Sequence, residues 1–183
     1  MKTMVKCRAC GYIMEEGDMK DLCPACGLPK TVFEPYKEKV AEGRKKWIDL
    51  HIHPIIVHFP PVFAVAIVGG LLLAGRVGDP WRGDLMGAVE LSILLMPVSL
   101  LAALVSGLFD GKLRFKKTKT PLLIHKMIAG GIFFGLSLVI LGLWAADRFD
   151  HSGTMVVLSA ACLGCNTYLG RVGATLMEAV LPG

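Results

Sequence analysis

Four stretches of the chain are apolar for about 20 residues or more: 54–76, 85–109, 121–146 and 153–176. A hydrocarbon layer about 30 Å thick is crossed by about 20 helical residues. Inside it, only elements that satisfy their own backbone hydrogen bonds are stable. Four such runs in succession predict an all-α four-helix transmembrane bundle over residues 51–183. The chain is 54% hydrophobic, but its first 50 residues are polar and carry half of its 20 Lys and Arg. This shift divides it into a small polar head, residues 1–36, a connecting stretch, residues 37–50, and the bundle. The connecting stretch, YKEKVAEGRKKWIDL with the preceding Tyr36, reads as an interfacial helix or a solvated linker, with Trp47 at headgroup level.

The basic residues orient the bundle. The second connection carries Lys112, Arg114, Lys116, Lys117 and Lys119; the first carries Arg76 and Arg82, and the third Arg148. Lys37, Lys39, Arg44, Lys45 and Lys46 precede the first span. Cytoplasmic flanks hold the excess of Lys and Arg. The expected placement is a multi-pass protein of the cell inner membrane, with the head and the C-terminus cytoplasmic. The net charge of +5 is explained by this orientation, and no nucleic-acid partner is expected. No apolar signal segment precedes the first cysteine.

The head contains two C-x-x-C pairs, Cys7/Cys10 and Cys23/Cys26, with 12 residues between them. Four thiolates around one ion imply tetrahedral zinc or iron, and a reducing cytoplasm keeps the thiols available. Gly11 and Gly27 follow the two pairs, where a left-handed turn brings backbone N–H groups toward sulfur. Spacing alone leaves a structural zinc ribbon and a redox iron site equally open.

The run C-R-A-C-G-Y, an acidic spacer, L-C-P-A-C-G-L-P-K and Phe33 resembles the rubredoxin-like domain that ends the rubrerythrins, over about residues 5–36. The resemblance implies one iron held by Cys7, Cys10, Cys23 and Cys26 and cycling between ferric and ferrous, with Tyr12 and Phe33 shielding it. The paired E-x-x-H motifs of the rubrerythrin diiron helices have no counterpart in this chain.

Spans one and three both open on Pro, three aliphatic residues and His: Pro54 to His58 and Pro121 to His125. If these spans run parallel, the two imidazoles lie at matched depth in one leaflet. Ionisable residues inside a membrane point to function, and two histidines on facing helices can ligate a b-type haem. A non-haem metal or proton site, or packing with an imidazole bonded to a backbone carbonyl, are the alternatives. His53 and Asp110 are further cofactor-site candidates, as a third ligand and an outer-shell acceptor. Glu90 is read as snorkelling or pairing with Arg82. Cys162 and Cys165, on one face of span four, are read as small buried apolar residues. His151 faces the outside alone.

The segments HPIIVHFPPVFAVA, LVSGLFDG and IHKMIAG together resemble an uncharacterised four-helix bacterial membrane domain that opens H-P-x-x-V-H-F-P, over about residues 51–176. That resemblance implies architecture and draws attention to His53, His58 and His125; it implies no reaction. The expected function is that of a membrane-bound carrier. It would pass single electrons between a cytoplasmic rubredoxin-like Fe(Cys)4 site and a membrane acceptor, b-type haem or quinone, with a cytoplasmic redox donor and membrane lipid as partners. A transporter or sensor with a zinc-ribbon head and a histidine-lined vestibule is the alternative. A bundle this small is expected to form a homodimer.

Overall fold

The computed structural model describes residues 3–117, 119–146 and 153–177. It divides into a small unit that ends at Gly43 and a helical unit that begins at Arg44.

The small unit is a three-stranded antiparallel sheet of β1 (Met4–Cys7), β2 (Ile13–Glu15) and β3 (Phe33–Tyr36), in the order β2-β1-β3. Val5 faces Met14 on one side and Pro35 on the other. The proline sits on an edge strand, where its missing N–H costs no ladder bond. An isolated bridge between Leu22 and Pro29 closes the loop around the second cysteine pair.

The helical unit begins with α1 (Glu42–Asp49), which starts at the end of the small unit and occupies much of the connecting stretch. Then follow α2 (Ile52–Ile56) and α3 (Phe59–Ala74). The first span is therefore broken rather than continuous from Pro54. Pro60 and Pro61 have no N–H to offer the carbonyls of Ile56 and Val57, so one helix ends at Ile56 and another begins at Phe59. His58 is the N-cap of α3, and its Nδ1–H donates to the Pro54 carbonyl at 2.6 Å.

The second span, α4 (Trp81–Phe115), is ten residues longer than the apolar run predicts, mostly at its C-terminal end. There Arg114 folds back onto Asp110 one turn earlier, Nε lying 2.8 and 3.0 Å from the two carboxylate oxygens. Lys112 and Arg114 complement the negative end of the helix dipole. Charges that read as a loop thus extend a helix, which closes at Lys116 in the left-handed conformation. The third span, α5 (Pro121–Ala145), has proline in its first turn and Thr120 as its cap. The fourth is α6 (Gly153–Met177). The third connection, with Arg148 and His151, lies outside the described residues.

Ala64, Ile67 and Leu71 of α3 meet Val89, Ile93, Met96 and Leu100 of α4, Phe133 and Ile140 of α5, and Met155 and Cys162 of α6 in one core. Cys165 packs against it. Within the apolar windows of the four spans only 22–33% of residues are buried. Most of the apolar surface faces outward, an arrangement that water penalises and hydrocarbon does not. Among the described residues four helical stretches are thus long and apolar enough to cross a membrane, the first being Glu42–Ala74 taken across its breaks.

Candidate metal centre and a polar cluster at the helix ends

The two cysteine pairs fold into near-identical knuckles. In the first, Cys7 N–H donates to the Tyr12 carbonyl at 2.8 Å and Gly11 N–H to the Cys7 carbonyl at 2.8 Å. In the second, Cys23 N–H donates to the Leu28 carbonyl at 2.7 Å and Gly27 N–H to the Cys23 carbonyl at 2.8 Å. Gly11 and Gly27 close the turns at φ +77° and +72°, a region that a side chain makes costly. The glycines that the spacing marks as left-handed are so.

The four Sγ atoms lie within 4.8 Å of one another. Cys7 and Cys26 are 3.8 Å apart across the knuckles, Cys10 and Cys23 3.7 Å. A tetrahedron with metal–sulfur bonds of about 2.3 Å has edges of about 3.8 Å, so the donor set fits one such ion. Cys7 and Cys23 are buried and Cys10 and Cys26 are exposed. Phe33, paired with Cys7 in the sheet, is half-buried, and Tyr12 is exposed.

The backbone stabilises thiolate asymmetrically. N–H groups of Cys10 and Ala9 face Cys7 and hold its thiol below the usual range against the opposing effect of burial. At Cys23 burial raises the thiol, but N–H groups of Cys26 and Ala25 and the neighbouring sulfurs outweigh it and bring the thiol down to about 7. Cys26 accepts from the Leu28 N–H, yet desolvation and the three neighbouring sulfurs push it up to about 12. Cys10 accepts from the Tyr12 N–H, which with Cys26 lowers it, but desolvation and the sulfurs of Cys7 and Cys23 leave it raised. The inner pair is poised to ionise first, and a dication would complete the ionisation of the outer pair.

A second group of polar side chains lies along α4, against which α2 and α5 each pack. His53 is half-buried and lies against α4, where a Cβ at Gly107 would come within 2.8 Å of its ring. Its Nδ1 is 3.1 Å from Ser106 Oγ, and Ser106 donates its own hydrogen to the Ala103 carbonyl at 3.2 Å. The charges of Lys126 of α5 and of Asp110 and Arg114 of α4 act on His53. Lys126 is half-buried and extends to 3.7 Å from where a Cβ on Gly173 of α6 would be. Among the described residues it forms no ion pair. Arg114 Nη2 is buried without a hydrogen-bond partner.

The structure therefore brings His53 and Asp110 into one neighbourhood and adds Ser106, Gly107, Arg114 and Lys126, which sequence reasoning missed. The LVSGLFDG segment contained part of the signal, since a small residue next to a polar one on a span permits close approach. His58 and His125 are exposed on the outer surface of the helices. Glu90 is exposed and forms no pair with Arg82 among the described residues.

A tetrathiolate metal-binding head joined to four long apolar helices defines the class of protein. Residues 6–34 match the family model described as rubrerythrin, rubredoxin-like domain, which spans all four cysteines. The comparisons with curated proteins and with solved structures found no match.

Proposed function

We propose that the protein is a membrane-bound one-electron carrier. Iron at Cys7, Cys10, Cys23 and Cys26 would exchange electrons with a cytoplasmic redox donor and with an acceptor in the membrane, a quinone or a b-type haem on His58 and His125. The observation that carries this reading is the site itself. Four sulfurs at tetrahedral spacing, two buried and two at the surface, are held by backbone N–H groups that face the sulfurs. Iron bound there would supply a ferric/ferrous couple. The chain's contribution is to fix the four sulfurs so that no ligand moves on electron transfer. It also offsets thiolate charge with peptide dipoles and presents Cys10 and Cys26 at the surface, where an electron can arrive without a substrate pocket.

His58 keeps haem ligation open: with Nδ1–H donated to the Pro54 carbonyl, its Nε2 is the nitrogen available to a metal. The test is metal and haem analysis of detergent-purified protein with oxidised and reduced visible spectra. The expected result is one iron per chain, with thiolate-to-iron bands that bleach on reduction and return on exposure to a quinone. Stoichiometric zinc without iron in protein from iron-replete cells would refute the electron-carrier reading. A haem band lost in His58→Ala and His125→Ala would identify haem as the acceptor.

A further inference from the structure

The second span does not stop where its apolar run stops. The run ends at Phe109, and α4 continues as helix through Phe115. Six further residues add about 9 Å along the axis, enough to cross one headgroup layer outside a hydrocarbon core. The single carboxylate on that extension, Asp110, is held by Arg114 at 2.8 Å, so its charge is compensated within the helix. The other charges, Lys112 on the helix, Lys116 at its cap and Lys117 and Lys119 beyond it, are exposed. The helix α1 comes to the same place: Trp47 meets Phe109 edge-on with ring centroids 5.9 Å apart, and about half of each residue is exposed. Arg44, Lys45 and Lys46 lie within one turn of Trp47, and Lys112 and Lys116 lie one and two turns past Phe109. Two helices thus place basic side chains on either side of one aromatic contact.

Residues 42–50 and 110–120 together hold eight Lys and Arg against three carboxylates, Glu42, Asp49 and Asp110. Residues 75–84, at the other end of α4, hold two of each sign. The orientation rule accounts for an excess of charge in the chain next to a span. It does not ask for a helix carried on past the apolar run, nor for half-exposed rings among the cations. Cations beside Trp47, Phe109 and the exposed Leu50 match a molecule with an anionic head on an apolar body. A soluble phosphate would use the cations and leave the rings unmatched, and a zwitterionic headgroup brings an ammonium of its own among the lysines. We infer that the place where α1 meets α4 is a binding surface for the phosphate headgroup of an anionic phospholipid. Lys112, Lys116 and the basic turn of α1 attract the phosphate, and Trp47 and Phe109 border the glycerol and the upper acyl chain. The Asp110–Arg114 pair supports the helix that carries Lys112 to that level. Neither a metal nor a haem takes part, so the surface is independent of the electron-carrier reading.

Trp47 provides the readout. The full chain carrying Trp81→Phe and Trp144→Phe, in a neutral maltoside detergent, is titrated with dioleoylphosphatidylglycerol and with dioleoylphosphatidylcholine while Trp47 emission is followed. A saturable shift is expected, about 25-fold tighter for the anionic lipid, from about fivefold for each of two lysines facing one phosphate. The preference should fade as salt rises from about 0.01 M to about 1 M. Lys112→Gln together with Lys116→Gln should weaken the anionic lipid about 25-fold and leave phosphatidylcholine unchanged. Arg76→Gln together with Arg82→Gln, at the other end of the helices, should change neither. Equal affinity for the two lipids overturns the assignment, as does a preference that survives the paired lysine changes. The same Trp47 shift produced by sn-glycerol 3-phosphate also overturns it, in favour of a soluble phosphate. Should the paired variant fail to fold, Lys112→Gln alone, at an exposed position, decides the matter: a loss of about fivefold is expected, and unchanged affinity overturns the assignment.

Discussion

Loading the head with zinc should release a number of protons that falls as the pH rises through neutrality, and the four thiols set that number. All four sulfurs bind as thiolates, so every thiol still protonated when the ion arrives must lose its proton. At pH 6 Cys23, brought down to about 7, is still about nine-tenths protonated; Cys26, pushed up to about 12, and Cys10, also raised, are fully so. Release at that pH should therefore be about three protons per zinc from these three thiols, plus whatever proton Cys7 still holds. At pH 8 Cys23 is about nine-tenths thiolate before metal arrives, so it contributes about 0.8 proton fewer than at pH 6. Cys7, held low by the Cys10 and Ala9 N–H groups, contributes less as well. Cys10 and Cys26 still give up both of theirs, and the total falls to between about two and three. The sign follows from competition: protons and metal seek the same sulfurs, so affinity rises with pH, and the slope of log K against pH equals the protons released. That slope should be steepest below pH 7. Calorimetry of zinc binding to the full chain, in pairs of buffers with different ionisation heats, counts the protons directly. A count of four at pH 8 would show that the N–H groups at Cys7 and Cys23 stabilise no thiolate, and a count below two would show that Cys10 and Cys26 are not raised. Either result refutes the asymmetry.

Gly27→Ala meets nothing within 4 Å, so its cost is the backbone strain of a side chain at φ +72°. A loss of about 1–2 kcal/mol should appear as weaker zinc retention against a competing chelator, whereas Gly17→Ala, also in open space and without positive φ, should be neutral. In the helical unit a Cβ on Gly70 collides with Val89, where α3 crosses α4. Gly70→Ala should therefore cost about 1–3 kcal/mol of stability in detergent unfolding, and Val89→Ala in the same chain should recover part of it.

How much of this was legible in the sequence depended on whether a feature is local. The cysteine knuckles could be read because spacing within six residues dictates them, down to the positive φ at Gly11 and Gly27. The spans could be read because length and apolarity alone decide them. Their ends could not: Arg114 looks like a loop residue until its i,i+4 pair with Asp110 makes it part of α4. The shared pattern of proline and histidine also misled. Pro121 to His125 lies within one continuous helix, whereas Pro54 to His58 spans a break, because Phe-Pro-Pro follows the second histidine position in one case and Lys-Met-Ile in the other. The cluster around His53 was the least legible part. It depends on how each helix is rotated about its axis, and helices apolar almost all round carry little sequence signal of which face turns inward.

The same physics explains why the identity of the ion was hidden. Among the described residues of the small unit, only Val5, Cys7 and Cys23 are buried, and two of these three belong to the four-cysteine cluster. A unit of this size cannot bury enough apolar surface to offset the entropy of ordering its chain, and a metal supplies what the core lacks. Any tetrahedral thiophilic ion meets that structural demand. The knuckle spacing, the glycines and the strand register are therefore the same for zinc and for iron. What separates the two ions is electronic: the N–H groups facing Cys7 and Cys23 stabilise negative charge on sulfur, which changes when iron takes an electron and does not change in zinc. The fold of the head thus fits a tetrahedral metal, and its backbone N–H groups favour negative charge on two of the four sulfurs.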